Sequence, residues 1–158
     1  MDIPVFNWIS LFIPIVVLAP NLLWLLFPPI NISVQEVKEP LFLTILENLG
    51  RLGVTVIPLF YKIVLVDSMS YVVLIIMLLL LAIYYYGWFR FYICGRNHIF
   101  LFLPLWRIPI PMAVSPVLYF VLAAKLLQSI PMLFAALLLA IGHILISYKE
   151  YCRIAKTL

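Results

Sequence analysis

The sequence predicts an all-α integral membrane protein of about five transmembrane helices, with a proline-rich interfacial or re-entrant segment before the last hairpin. Composition is the first reason: of 158 residues 67% are hydrophobic and 10% charged, more apolar surface than a water-soluble domain of this length buries in one core. The second is continuity. The apolar residues form runs near the roughly 20 residues that a helix needs to cross a hydrocarbon layer about 30 Å thick, without the alternation of a β-barrel strand. A single transmembrane domain over 1–158 follows.

The first span covers about residues 7–27 and stops at Pro28-Pro29. Its leading residues contain Asp2 and neither Lys nor Arg, so it reads as a retained helix and not as a signal peptide, which carries a positive n-region. The second span runs from about 41, just after Pro40, to 61, and the third from about 70 to 87. Pro104, Pro109, Pro111 and Pro116 prevent one regular helix through residues 99–116. The apolar half of that stretch ends at Trp106 and Arg107, which is interfacial chemistry and suits a cover over the cytoplasmic side. Two shorter spans, about 111–128 and 130–148, complete the chain, with Gln128-Ser129 as the turn between them.

Positive charge orients the spans, because Lys and Arg are retained on the cytoplasmic side. Arg90, Arg96 and Arg107 lie in one connection and Lys149, Arg153 and Lys156 in the tail. Both fall inside if the last two spans form a hairpin, which puts the N-terminus outside and the C-terminus in the cytoplasm of a plasma or inner membrane. Lys38 and Lys62 discriminate weakly. The ten basic residues are too scattered for a nucleic-acid face.

Charge inside a span is the feature that points to function. On the second span Thr44, Asn48, Arg51 and Thr55 share a helix face, with Glu47 beside them. Glu47 and Arg51 have the spacing and order of an intrahelical ion pair. Arg51 is ten residues into its span, about 15 Å deep at about 1.5 Å per residue. Counted from the predicted helix ends, Asn21, Glu47, Ser115 and His143 fall in one layer of the cytoplasmic leaflet, with Ser147 one turn beyond His143. Intramembrane ionisable groups are functional candidates by default. The candidate ligand-binding set is therefore Asn21, Glu47, Asn48, Arg51, Ser115, His143 and Ser147. Each has a structural alternative, such as Asn21 serving the carbonyls that Pro20 frees, or His143 and Ser147 bonding between helices. Around the mouth, Tyr84, Tyr85, Tyr86 and Trp88 read as interface anchors, and Arg90, Arg96 and Arg107 as contacts for phosphate or carboxylate head groups.

Several chemistries lack their signatures. There is no GxSxG, HExxH, P-loop or Gly-rich dinucleotide fingerprint, and no cofactor is indicated. Cys94 and Cys152 stand alone, without metal-ligand spacing, so no metal site is expected. The Asn31-Ile32-Ser33 sequon is too short a signal to carry weight. The leading expectation is a small membrane protein that binds or transports an amphipathic or anionic molecule through a cytoplasm-facing polar site, in contact with membrane lipids, with transport calling for a homodimer or larger assembly because five spans enclose little volume. Two alternatives stand beside it: an intramembrane enzyme acting on a lipid-linked substrate, and a non-catalytic subunit of a membrane complex.

Overall fold

The computed structural model describes residues 6–30, 39–105 and 108–156. Lys38, the Asn31–Ser33 sequon, Trp106 and Arg107 lie outside the described residues. Within them every regular element is helical: α1 (Phe12–Leu26), α2 (Leu41–Val56), α3 (Ser68–Ile93), α4 (Pro111–Leu126), α5 (Ile130–Leu139) and α6 (Leu145–Ala155). A π-helical turn, Ala140–Ile144, joins α5 and α6 into one rod. Short 3-10 turns precede α1 at Ile9–Leu11, extend α2 at Ile57–Phe60 and form His98–Leu101 in the proline-rich connection.

Four stretches are long and apolar enough to cross a membrane: Ile9–Leu26, Leu41–Phe60, Ser68–Ile93 and Ile130–Ala155. Only 22–33% of each is buried inside the protein, so most of their apolar surface needs lipid as its solvent. The fifth predicted span, α4, is shorter, but it is the most enclosed helix and forms the centre. It packs against α3 on one side and α5 on the other, while α2 packs on the far side of α5 and the π turn. The chain thus builds a row, α3–α4–α5–α2, with α1 lying against α3 and α4.

Local chemistry explains the ends. The Asp67 carboxylate caps α3 by accepting from the Ser70 backbone N–H at 2.9 Å and from the Ser70 hydroxyl. Those bonds favour the charged form and hold the carboxyl below the ordinary range. Gln128 takes a left-handed φ of 48° in the predicted hairpin turn, and the Ser129 hydroxyl then caps the last rod by accepting from Met132 N–H at 3.2 Å.

Two helices overrun their predicted ends. α3 continues to Ile93 because its later residues have a core to enter: Trp88 and Phe91 are buried, and Gly87 lets α4 approach so closely that a Cβ there would sit 2.6 Å from Met112 Cγ. The last rod continues to Ala155, seven residues beyond the expected 148, through the polar Lys149–Arg153 stretch. Hydropathy marks the membrane limit of a helix, whereas backbone hydrogen bonding carries the helix on into the interface.

Proline placement also resolves. Pro20 lies inside α1, and its missing N–H leaves the Val16 carbonyl without a helical donor. The Tyr85 hydroxyl of α3 donates to that carbonyl at 2.8 Å. In the connection after α3, Arg90 gathers the chain by donating to the carbonyls of Phe100 (3.0 Å), Leu103 (2.8 Å) and Pro104 (3.2 Å).

Candidate functional site

Helix α2 carries an acid and a guanidinium inside an apolar span, and its closest neighbour is the last rod. Gly50, Gly53 and Gly142 make that approach possible. A Cβ on Gly50 would lie 2.3 Å from the Leu139 backbone nitrogen, and one on Gly142 would lie 2.5 Å from the Glu47 nitrogen. The two backbones are therefore in contact at the level of Glu47, a helix crossing that small residues permit in membranes.

The contact sets the geometry of the acid. Glu47 is buried, with 11% of its side chain exposed. Its Oε1 lies 2.8 Å from His143 Nδ1 and 2.5 Å from Arg51 Nη2. Beside a carboxylate that nitrogen carries the imidazole proton and donates it. Both bonds converge on one oxygen, so Oε2 keeps its acceptor capacity. His143 belongs to the π turn, where one extra residue per turn rotates side chains that a regular α-helix would aim elsewhere, and such turns recur at functional sites.

Arg51 is the opposite case. Its side chain is 59% exposed, although it lies ten residues into an apolar helix. Glu47 occupies one Nη2 donor and the rest of the guanidinium fork faces outward, capable of a two-point bond to an oxyanion. With the imidazole neutral, the three side chains sum to zero charge. The donors that Arg51 keeps and the free acceptor Oε2 of Glu47 are the hydrogen-bonding capacity that the cluster leaves open.

The other predicted residues are placed as follows. Asn48 is exposed on the outer side of α2 with no side-chain hydrogen bond among the described residues. Thr55 donates to the Arg51 carbonyl at 2.7 Å within its own helix. Asn21 does not reach Glu47: its amide donates to the Val17 carbonyl at 3.1 Å and to the Tyr84 hydroxyl at 3.0 Å. Ser115 is buried and donates to the Pro111 carbonyl one turn back, at 2.7 Å. Ser147 is buried one turn after His143. Of the head-group candidates, Arg90 is committed to the loop carbonyls described above, Arg96 is half-buried with a left-handed φ of 57°, and Arg107 lies outside the described residues. Among the described residues no group of His, Cys, Asp and Glu could hold a metal ion.

Tyr84 and Trp88 differ from their reading as interface anchors. They are 4% and 6% exposed, whereas Tyr85 and Tyr86 between them face outward. A run of adjacent aromatics on a helix wraps around it, and the spacing of four between Tyr84 and Trp88 was the available signal that these two share the inner face.

Comparison with protein-family models, with curated proteins and with solved structures finds no match to the chain.

Proposed function

We propose that this membrane protein binds an anionic, amphipathic small molecule at the α2 site and carries it between the membrane and the cytoplasmic side. The observation that supports this most is the Arg51 guanidinium, largely exposed in a membrane-spanning helix while its partner Glu47 is shared with His143. An arginine at that depth is costly unless it faces protein, water or an anion. Arg51 holds the anionic group, and Glu47 with His143 balances its charge by exchanging a proton. Asn48, on the same exposed side of α2, adds a hydrogen-bonding group or meets a second copy of the chain. The orientation in this proposal has the N-terminus outside and Arg96, Lys149 and Lys156 at the cytoplasmic surface, where they attract anionic head groups.

The test is mass spectrometry of small molecules that copurify with the protein in mild detergent, beside folded Arg51→Ala and Glu47→Gln variants. The proposal expects a specific anion or amphiphile on the parent that both variants lose. Bulk lipid alone, identical in all three, refutes it and turns the search to protein partners.

A further inference from the structure

Away from the rod, α2 carries a polar seam. Thr44, Asn48, Arg51 and Thr55 recur at spacings of four, three and four, the repeat that keeps one side of a helix turned towards a neighbour. The side that packs on α5 and the π turn is a different one, built on Glu47, Gly50 and Val54. At 3.6 residues per turn the seam lies about a quarter of the way around the helix from it. Leu49, Leu52 and Val56 are exposed and apolar, as lipid requires. On the seam, Asn48 is exposed with no side-chain hydrogen bond among the described residues, and the Arg51 side chain is 59% exposed. Both belong to a stretch long and apolar enough to span a membrane, where lipid satisfies neither an amide nor a guanidinium.

Two properties of the seam decide what covers it. Its charge is already balanced, because Glu47 Oε1 accepts from Arg51 Nη2 at 2.5 Å, so an acidic partner has no net charge to neutralise. What remains is hydrogen-bonding capacity of both signs: donors on the guanidinium, and on Asn48 an amide that also accepts. Long helical side chains lean over the turn N-terminal to them, and the bond to Glu47 holds the Arg51 guanidinium at the level of Asn48. Donor and acceptor thus lie at one height. In a two-fold pair of parallel α2 helices each contact occurs twice with the roles exchanged, so the seam supplies its own complement.

We propose that the α2 seam is the interface of a homodimer, in which Arg51 of one protomer donates to Oδ1 of the partner's Asn48 and the reciprocal bond closes the pair. Thr44 and Thr55 mark its two ends, where small side chains let the helices approach. Asn48 fixes the register, as a single amide does in the seam of a two-stranded coil. Glu47 and the partner's Asn48 occupy two of the five guanidinium donors, so the pair forms with or without an anion at Arg51.

The experiment uses the full chain in liposomes of neutral phosphatidylcholine with no added ligand. In a Cys94→Ser, Cys152→Ser background, oxidation is expected to cross-link Thr44→Cys and Thr55→Cys into dimers, and to leave Phe42→Cys and Leu49→Cys, on the far side of α2, as monomers. Energy transfer between copies carrying a dye at the exposed Cys94, diluted into increasing lipid, gives the dissociation constant. Asn48→Leu removes both reciprocal bonds and raises that constant about tenfold or more. Monomers at every dilution overturn the dimer. Cross-links at Phe42→Cys or Leu49→Cys in place of the threonine positions overturn the seam, and a dissociation constant unmoved by Asn48→Leu overturns the Arg51–Asn48 bond. Cross-linking changes neither Asn48 nor Arg51, so it decides the interface even where Asn48→Leu fails to fold. A monomer leaves the proposed anion site standing, and absence of a copurifying anion leaves the dimer standing.

Discussion

Replacing Gly142 with alanine strikes the point where α2 and the last rod touch. The added Cβ would sit 2.5 Å from the Glu47 nitrogen and 2.8 Å from its Cα, about 1 Å inside ordinary van der Waals contact. Both atoms are backbone, so no side-chain rotation relieves the clash and one helix must move. Overpacking of this kind costs about 1–3 kcal/mol. A shift of about 1 Å also stretches the 2.8 Å Glu47–His143 bond beyond hydrogen-bonding distance, and bonds to charged groups contribute about 1.5–3 kcal/mol. Unfolding titrations in mixed micelles are therefore expected to show a loss of at least about 2 kcal/mol, with the variant still helical by circular dichroism. Gly95→Ala is the control: its φ of +73° strains alanine, but nothing lies within 4 Å, so the cost stays near 1 kcal/mol. A Gly142→Ala protein as stable as the parent, with His143 unmoved, would refute the close crossing on which the site depends.

Other expectations follow from single contacts. Tyr85→Phe strands the Val16 carbonyl that Pro20 leaves without a donor, and is expected to destabilise the docking of α1 by about 1 kcal/mol, read as increased labelling of cysteines placed along α1. Arg90→Lys cannot span three carbonyls with one ammonium; amide exchange in Ile99–Leu103 should quicken while the spans keep their protection. Burial holds the His98 imidazole below its usual 6.5, against Glu150, which favours the charged form. The unfolded segment therefore binds the proton first, so the stabilisation is intact above about pH 6.5 and erodes as pH falls. Loop protection factors, which remove the intrinsic slowing of amide exchange in acid, should fall on acidification in the parent and stay constant in His98→Asn.

How much of this was legible beforehand depends on what each residue reports. Hydropathy located every long helix and the Gln128-Ser129 turn, because lipid demands continuous apolar runs closed on their own hydrogen bonds. The Glu47–Arg51 pair followed from helical spacing alone. Depth from the helix ends grouped Asn21 and Ser115 with Glu47, but depth says nothing about azimuth: Asn21 faces α3, and Ser115 turns back on Pro111. The meeting of Glu47 and His143 depends on which helices are neighbours, and on a π turn that no periodicity in Ala140–Ile144 announces. The glycines carried the missing information, since Gly50, Gly53 and Gly142 mark where two backbones touch. Their partners are a property of the fold and not of any local stretch.

A carboxylate from α2 and an imidazole from the last rod, 96 residues apart in sequence, form one hydrogen-bonded unit between two membrane-spanning helices. Solid-state magnetic resonance in bilayers, with ¹³C in the Glu47 carboxyl and ¹⁵N in His143, tests it most directly. Strong through-space transfer between the carboxyl and Nδ1, consistent with 2.8 Å, is expected, together with a changed Nδ1 signal in Glu47→Gln. No transfer, together with a His143 spectrum indifferent to Glu47→Gln, would contradict it.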